Sequence, residues 1–180
     1  MKIILINASN QKRSNAVILA KIVLQDFVYE EVELSHLKIK DVEDHRFDDG
    51  WTIRENDDFY ELMNLVFESD LVVMSSPIYW YSVSARLSRF IERWSESLNQ
   101  KKNFRSVMGT KKLILVLAGG DHPQIKAKPI IKQFEYIADF SNIEFYDAVI
   151  GCANRPGTVL DDVVSINQAN ALNQHLKHII

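Results

Sequence analysis

Short continuous apolar runs alternate along this chain with longer stretches in which apolar residues recur every three or four positions. Lys2–Ile6 is an unbroken, largely β-branched run, the pattern of a strand buried on both faces. Ala16, Leu19, Ala20, Val23, Leu24 and Phe27 fall at helical spacing and predict an amphipathic helix from about Asn15 to Val28. Val32 and Leu34 mark a short second strand. Phe59, Leu62, Met63, Val66 and Phe67 predict a helix over Asp57 to Glu68, with Asn56 or Asp57 as its cap. Leu71–Met74 reads as a third strand, and Leu87, Phe90, Ile91, Trp94 and Leu98 as the helix that follows it. Lys112–Ala118 is a fourth strand closed by Gly119-Gly120. The next helical pattern covers Ile125 to Asp139, with Pro129 moving its real start to about Lys128. Ile143–Ile150 is the fifth strand and Asp161 to Ile179 the last helix.

Five strands alternating with five helices predict an α/β chain whose parallel sheet is covered by helices on both faces. Right-handed crossovers then set the strand order 2-1-3-4-5. No repeat, low-complexity tract or linker interrupts the pattern, so residues 1–180 read as a single domain. The least regular stretch is 35–56, charged and carrying Trp51, which reads as a surface excursion or lid with Trp51 as a packing anchor.

Composition narrows the function classes. Of 180 residues, 47% are hydrophobic and 25% charged, as in ordinary globular proteins. A net charge of −3 leaves no basic footprint for nucleic acid. Cys152 is the single cysteine and cannot form an internal disulfide, so a reducing cytoplasm is the expected setting. The first apolar run is too short for a signal sequence or membrane span, and no later stretch reaches ~18 apolar residues.

Three loops follow strands 1, 3 and 4, and the predicted order brings them together at the switch point of the sheet. The first, Asn7 to Asn15, supplies short polar donors in Ser9, Gln11, Ser14 and Asn15 and charge in Lys12 and Arg13, at a helix N-terminus suited to phosphate. The same residues also suit plain helix capping. The second, Ser75-Ser76-Pro77-Ile78-Tyr79-Trp80-Tyr81, is stiffened by Pro77 and carries three consecutive aromatics, which cannot all face inward. Its amides, from Ile78 to Tyr81, can address the polar edge of a flat ring. The third, Ala118-Gly119-Gly120-Asp121-His122-Pro123, allows close backbone approach, and His122 is a possible proton donor. A planar, phosphate-bearing cofactor satisfies all three loops, and flavin mononucleotide (FMN) is the obvious candidate.

The sequence A-S-N-Q-K-R-S-N-A resembles the phosphate loop of the NAD(P)H-dependent FMN reductase and flavodoxin-like oxidoreductase superfamily. S-P-I-Y-W-Y-S-V-S-A-R-L-S-R-F-I-E-R resembles its ring-binding loop and following helix, and R-P-G-T-V-L-D-D its connection into the last helix. The resemblance implies a flavodoxin-like three-layer sandwich with Ser9, Gln11, Ser14, Asn15 and Ala16 around the FMN phosphate. It places Pro77, Ile78, Tyr79, Trp80 and Tyr81 around the isoalloxazine, with Gly119, Gly120 and Asp121 at its other edge. Ala8, Gln11 and Ala16 stand where the family commonly has glycine, arginine and threonine. The cysteine cluster of iron-sulfur relatives has no counterpart in residues 42–52.

The implied activity is hydride transfer from NAD(P)H to FMN and onward to a quinone, azo, nitroaromatic or flavin acceptor. The cofactor carries this chemistry, so no acid–base dyad is required; His122 and Tyr81 are the possible proton relays. The resemblance also implies a homodimer across the flavin edge. A flavodoxin-type electron carrier, expected to be strongly acidic, and a flavodoxin-like module that has lost its cofactor are the alternatives.

Overall fold

Every position of β1, Ile3–Asn7, is buried, and the sheet around it explains why. The computed structural model describes residues 1–47 and 50–179; Asp48, Asp49 and Ile180 lie outside the described residues. Strands β2 (Glu30–Glu33), β3 (Leu71–Pro77), β4 (Lys112–Gly119) and β5 (Glu144–Cys152) join β1 in one sheet of order β2-β1-β3-β4-β5, with every pairing parallel. Successive strand residues point to opposite faces. Ile3, Leu5, Leu71, Val73, Ile114 and Val116 therefore enter one core, and Ile4, Ile6, Val72, Met74, Leu113 and Leu115 the other. Helices α1 (Asn15–Val23) and α8 (Val163–Ile179) close the first core through Leu19, Ala20, Val23, Ala169, Leu172 and Leu176. Helices α2 (Phe59–Glu68), α3 (Ala85–Glu92), α4 (Trp94–Gln100), α5 (Phe104–Met108) and α7 (Lys128–Ser141) close the second. A short α6, Pro123–Lys126, leads into α7.

The fold class, strand order and layering match the expectation, while helix boundaries move. Helix α1 stops at Val23, yet Leu24 and Phe27 still pack on the core from the turn beyond it, which carries the apolar spacing past the helix end. The single helix expected after the aromatic loop is interrupted at Arg93, with α5 as a further helical turn downstream. The last helix starts at Val163. A 3-10 turn, Thr158–Asp161, precedes it, and the Asp162 carboxylate accepts the Cys152 and Ser165 N–H groups at 2.7 and 3.4 Å.

Arg93 lies entirely inside the protein. A buried guanidinium is tolerable only when paired. Its Nε and Nη2 donate to the Glu96 carboxylate, its Nη1 to Asp57, all at 2.6 Å, and its charge sits 4.2 Å from the Phe59 ring centroid. Arg54 adds contacts to Asp57 and Glu96 and so ties the chain just ahead of α2 to this cluster. Trp51 is half-buried, edge-on to His45 at 5.7 Å, and its carbonyl accepts the Gln100 amide. It packs the segment and lines neither hollow at the sheet's carboxyl edge. Among the described residues, no helix is long and apolar enough to cross a membrane.

Candidate functional site

The end of β1 organises the first loop. Asn7 Oδ1 accepts the Ser9 N–H at 3.0 Å, Asn7 Nδ2 donates to Glu31, and Ser9 Oγ accepts the Gln11 N–H at 3.2 Å. Such side-chain turns replace backbone pairing in a tight loop. Ser9 and Ser14 are buried. Ser14 occupies the N-cap of α1, but its hydroxyl makes no capping bond. The N–H of Ile18 bonds to the Ser14 carbonyl, so the N–H groups of Asn15, Ala16 and Val17 lie ahead of the helical ladder at the positive end of the helix dipole. These uncommitted donors form a cradle for an anion.

Asn15 serves differently from expectation. Its side-chain amide donates to the Arg155 carbonyl at 2.9 Å and accepts the Val159 N–H at 3.2 Å, pinning the loop after β5. Its backbone N–H and the second hydrogen of its side-chain amide remain for a ligand in the hollow that it lines. Arg13 packs over Gly157, whose φ of +82° suits glycine and where a Cβ would lie 2.8 Å from the guanidinium.

The parallel ladder runs on past the strand ends and locks the loops to one another. Ala8 N–H bonds to the Ser75 carbonyl at 2.9 Å, Ile78 N–H to Ala118 and Ala153 N–H to Gly119, both at 2.8 Å. Ser84 accepts the Leu87 N–H as cap of α3 while its hydroxyl donates to the Ala8 carbonyl. Between these loops lies a hollow of about 190 Å³. Ser9, Gln11, Ser14, Asn15 and Ala16 line one end of it, Pro77, Ile78 and Tyr79 its side, and Gly119 and Gly120 its opposite wall.

The aromatic residues form a tight hairpin turn. Tyr79 and Ser82 exchange both backbone hydrogen bonds, at 2.9 and 3.0 Å, with Trp80 at φ 48° and Tyr81 at φ 60°. Two consecutive left-handed residues define the turn that usually takes Asn-Gly. Trp80 is 95% exposed. The Tyr81 hydroxyl crosses to the fourth-strand loop and donates to Asp121 Oδ2 at 2.7 Å; Lys126 Nζ donates to the same oxygen at 2.6 Å. Both bonds, Lys126 first, hold the Asp121 carboxyl below its usual range. A second hollow of about 230 Å³ opens here, bordered by Trp80, Tyr81, Asp121 and Lys126, and shares Ile78, Gly119, Gly120 and Asn154 with the first. A larger hollow of about 620 Å³ between α4, α5 and α7 is lined chiefly by apolar side chains such as Trp94, Leu98 and Phe140 and contains no residue of the carboxyl-edge loops. Size therefore does not identify the site; the convergence of loops does.

The model of the NADPH-dependent FMN reductase family matches residues 1–137. The chain belongs to this family. A Bacillus subtilis protein provisionally named NAD(P)H-dependent FMN-containing oxidoreductase YwqN is 33% identical over 174 residues, spanning 96% of each chain. The solved structure of a Trp repressor binding protein from Bacillus subtilis superposes with a TM-score of 0.80 at 29% identity, covering 95% of this chain and 97% of that one. An FMN-dependent NADH-azoreductase from Bacillus anthracis, solved in complex with FMN, shares the fold with a TM-score of 0.71 at 14% identity, covering 98% and 99%.

In this member of the family, the thirteen residues expected as cofactor ligands fall into two groups. Ten line the inner hollow, while Trp80, Tyr81 and Asp121 border the outer one. His122 lines neither; it sits at φ 44° at the head of α6. Asn154, from the loop after β5, was not anticipated. It lines both hollows, and its carboxamide rests where a Cβ on Gly120 would fall, 1.4 Å from Oδ1. The turn residues Asn154, Arg155, Pro156 and Gly157, closing a strand at the same sheet edge, were the available signal. Among the described residues, no cluster of His, Cys, Asp or Glu could hold a metal ion.

Proposed function

We propose that this chain holds FMN with its phosphate end in the inner hollow and its ring between the Pro77–Tyr81 and Gly119–Asp121 loops, and acts as an NAD(P)H-dependent oxidoreductase on small planar acceptors of the quinone, azo, nitroaromatic or flavin type. The donor set fits such a group: the α1 N–H groups and the Ser9 and Ser14 hydroxyls are placed for a phosphate, with Gln11 and Ala16 beside them. Pro77, Ile78 and Tyr79 present a stiff edge to a flat ring, Gly119 and Gly120 form the facing wall with the Ile78 and Asn154 side chains packed where their Cβ atoms would lie, and Trp80, Tyr81 and Asp121 bound its outer side. When bound, FMN would supply the chemistry by accepting hydride from NAD(P)H and passing the electrons on. The protein's part is to grip the phosphate, orient the ring and carry protons. The Tyr81 hydroxyl, hydrogen-bonded to Asp121, is the better placed relay; His122 would need to turn inward.

The observation that carries this reading is the meeting of four strand-end loops around one cleft with unspent N–H and hydroxyl donors at one end. The reading takes residues 1–180 as one unit working in the cytoplasm as a homodimer. Its test is the absorbance spectrum of freshly purified protein with and without added FMN, followed by FMN-dependent NAD(P)H oxidation. Yellow protein that oxidises the nucleotide is the expected result. Colourless protein with no affinity for FMN overturns it, and a monomeric mass by light scattering overturns the dimer.

A further inference from the structure

The outer hollow has no part in gripping a phosphate, and its chemistry differs from that of the inner one. Ile78, Gly119, Gly120, Pro123 and Ala127 give it an apolar and backbone floor, and the exposed Trp80 stands at its mouth. Trp80 buries almost nothing, yet its backbone is held in a conformation that costs a bulky residue ~1–2 kcal/mol. Strain retained at the rim of a cleft is characteristic of binding positions. An indole presented this way offers a flat face for stacking. Its apolar floor and flat indole rim suit a planar aromatic molecule.

The charged side chains bordering this hollow are Asp121 and Lys126, and they neutralise each other at 2.6 Å. Left alone, Lys126 would draw anionic ligands into the hollow, and Asp121 would repel them. Paired, they present a dipole whose field falls away quickly. We infer that the outer hollow is the subsite for the second substrate and that Asp121, by masking Lys126, makes it select uncharged planar aromatic acceptors over their anionic counterparts. The Tyr81 hydroxyl, bonded to the same carboxylate oxygen, holds the mask in register with the aromatic turn. The inference rests on the FMN-dependent reading above and adds the acceptor's charge class and the residues that set it.

The test compares naphthoquinone with its sulfonate on the FMN-loaded protein. The kcat/KM ratio of the two is measured, and so is their binding without nucleotide, by quenching of tryptophan emission. Asp121→Asn keeps an oxygen for Tyr81 but unmasks Lys126. It should raise the sulfonate-to-quinone ratio about fivefold at low salt, the worth of one unit charge about 4 Å away in water, and the gain should shrink as salt is added. Lys126→Gln should move the ratio the opposite way. Quenching should fall in Trp80→Phe. Ratios unchanged in both charge variants, or quenching undiminished in Trp80→Phe, would overturn the inference, while the FMN-dependent reading is judged on the wild-type protein alone. Loss of the cofactor reading shows separately, as wild-type protein that neither binds FMN nor oxidises NAD(P)H, and it removes the inference with it.

Discussion

Replacing Trp80 with asparagine should make the protein more stable while weakening its hold on planar ligands. Trp80 adopts φ 48° with its side chain 95% exposed, so the substitution removes strain and almost no buried surface. A left-handed backbone costs an ordinary residue ~1–2 kcal/mol, and asparagine tolerates it far better. Unlike glycine, asparagine adds little conformational freedom to the unfolded chain. The expected net gain is about 1 kcal/mol, which raises Tm by about 2–4 °C in a chain of this size. Thermal unfolding followed by circular dichroism, without added FMN so that ligand binding does not contribute, measures it. Tyr81→Asn provides the internal control. It relieves the same strain at φ 60° but gives up the hydroxyl bond to Asp121, so its gain should be smaller. An unchanged or lowered Tm for Trp80→Asn, or a larger gain for Tyr81→Asn, would refute the strain argument.

Other changes probe the support beneath the site. Arg93→Ala leaves the buried Asp57 and Glu96 carboxylates short of their main partner and should cost about 3–5 kcal/mol in urea unfolding; a loss under about 1 kcal/mol would mean that the cluster contributes little. Asn15→Ala removes both bonds to the loop after β5 and should cost about 1–3 kcal/mol while lowering FMN affinity, read by denaturation and fluorescence titration. Affinity unchanged despite lower stability would separate that loop from the cofactor site. Burial, with the Glu96 carboxylate nearby, pushes the Tyr60 hydroxyl from 10.0 up to about 12. Unfolded chains therefore lose this proton first, and the stability present below pH 10 should drain away as pH rises toward 12. Tyr60→Phe should flatten that part of the pH–stability curve, and an identical alkaline slope would contradict it.

The architecture was legible because strands buried on both faces read as unbroken apolar runs, as in Lys2–Ile6 and Lys112–Ala118, and right-handed crossovers leave few orders for such strands. Loops at the carboxyl ends of β1, β3 and β4 then had to meet, which is why most of the inner lining was identified from sequence. Helix ends were less legible: Leu24 and Phe27 fill the core from a turn as well as a helix would, and the spacing alone cannot tell the two apart.

What sequence alone determined is therefore what repeats locally: the periodicities, the turn residues and the small polar loop at the start of α1. What only the tertiary structure decided depends on partners far along the chain. Arg93 has Glu96 three residues on, but nothing nearby marks it as interior until Asp57, from a distant part of the chain, closes on its other side. Asn15 has the composition of a phosphate ligand, yet its amide is committed to Arg155 and Val159. Asn154 joins the cleft because β5 lies beside β4, and Trp80 and Tyr81 take a turn that glycine or asparagine would normally fill. A side chain's role follows from which neighbours compete for its hydrogen bonds and its space, and that competition exists only once the chain has folded.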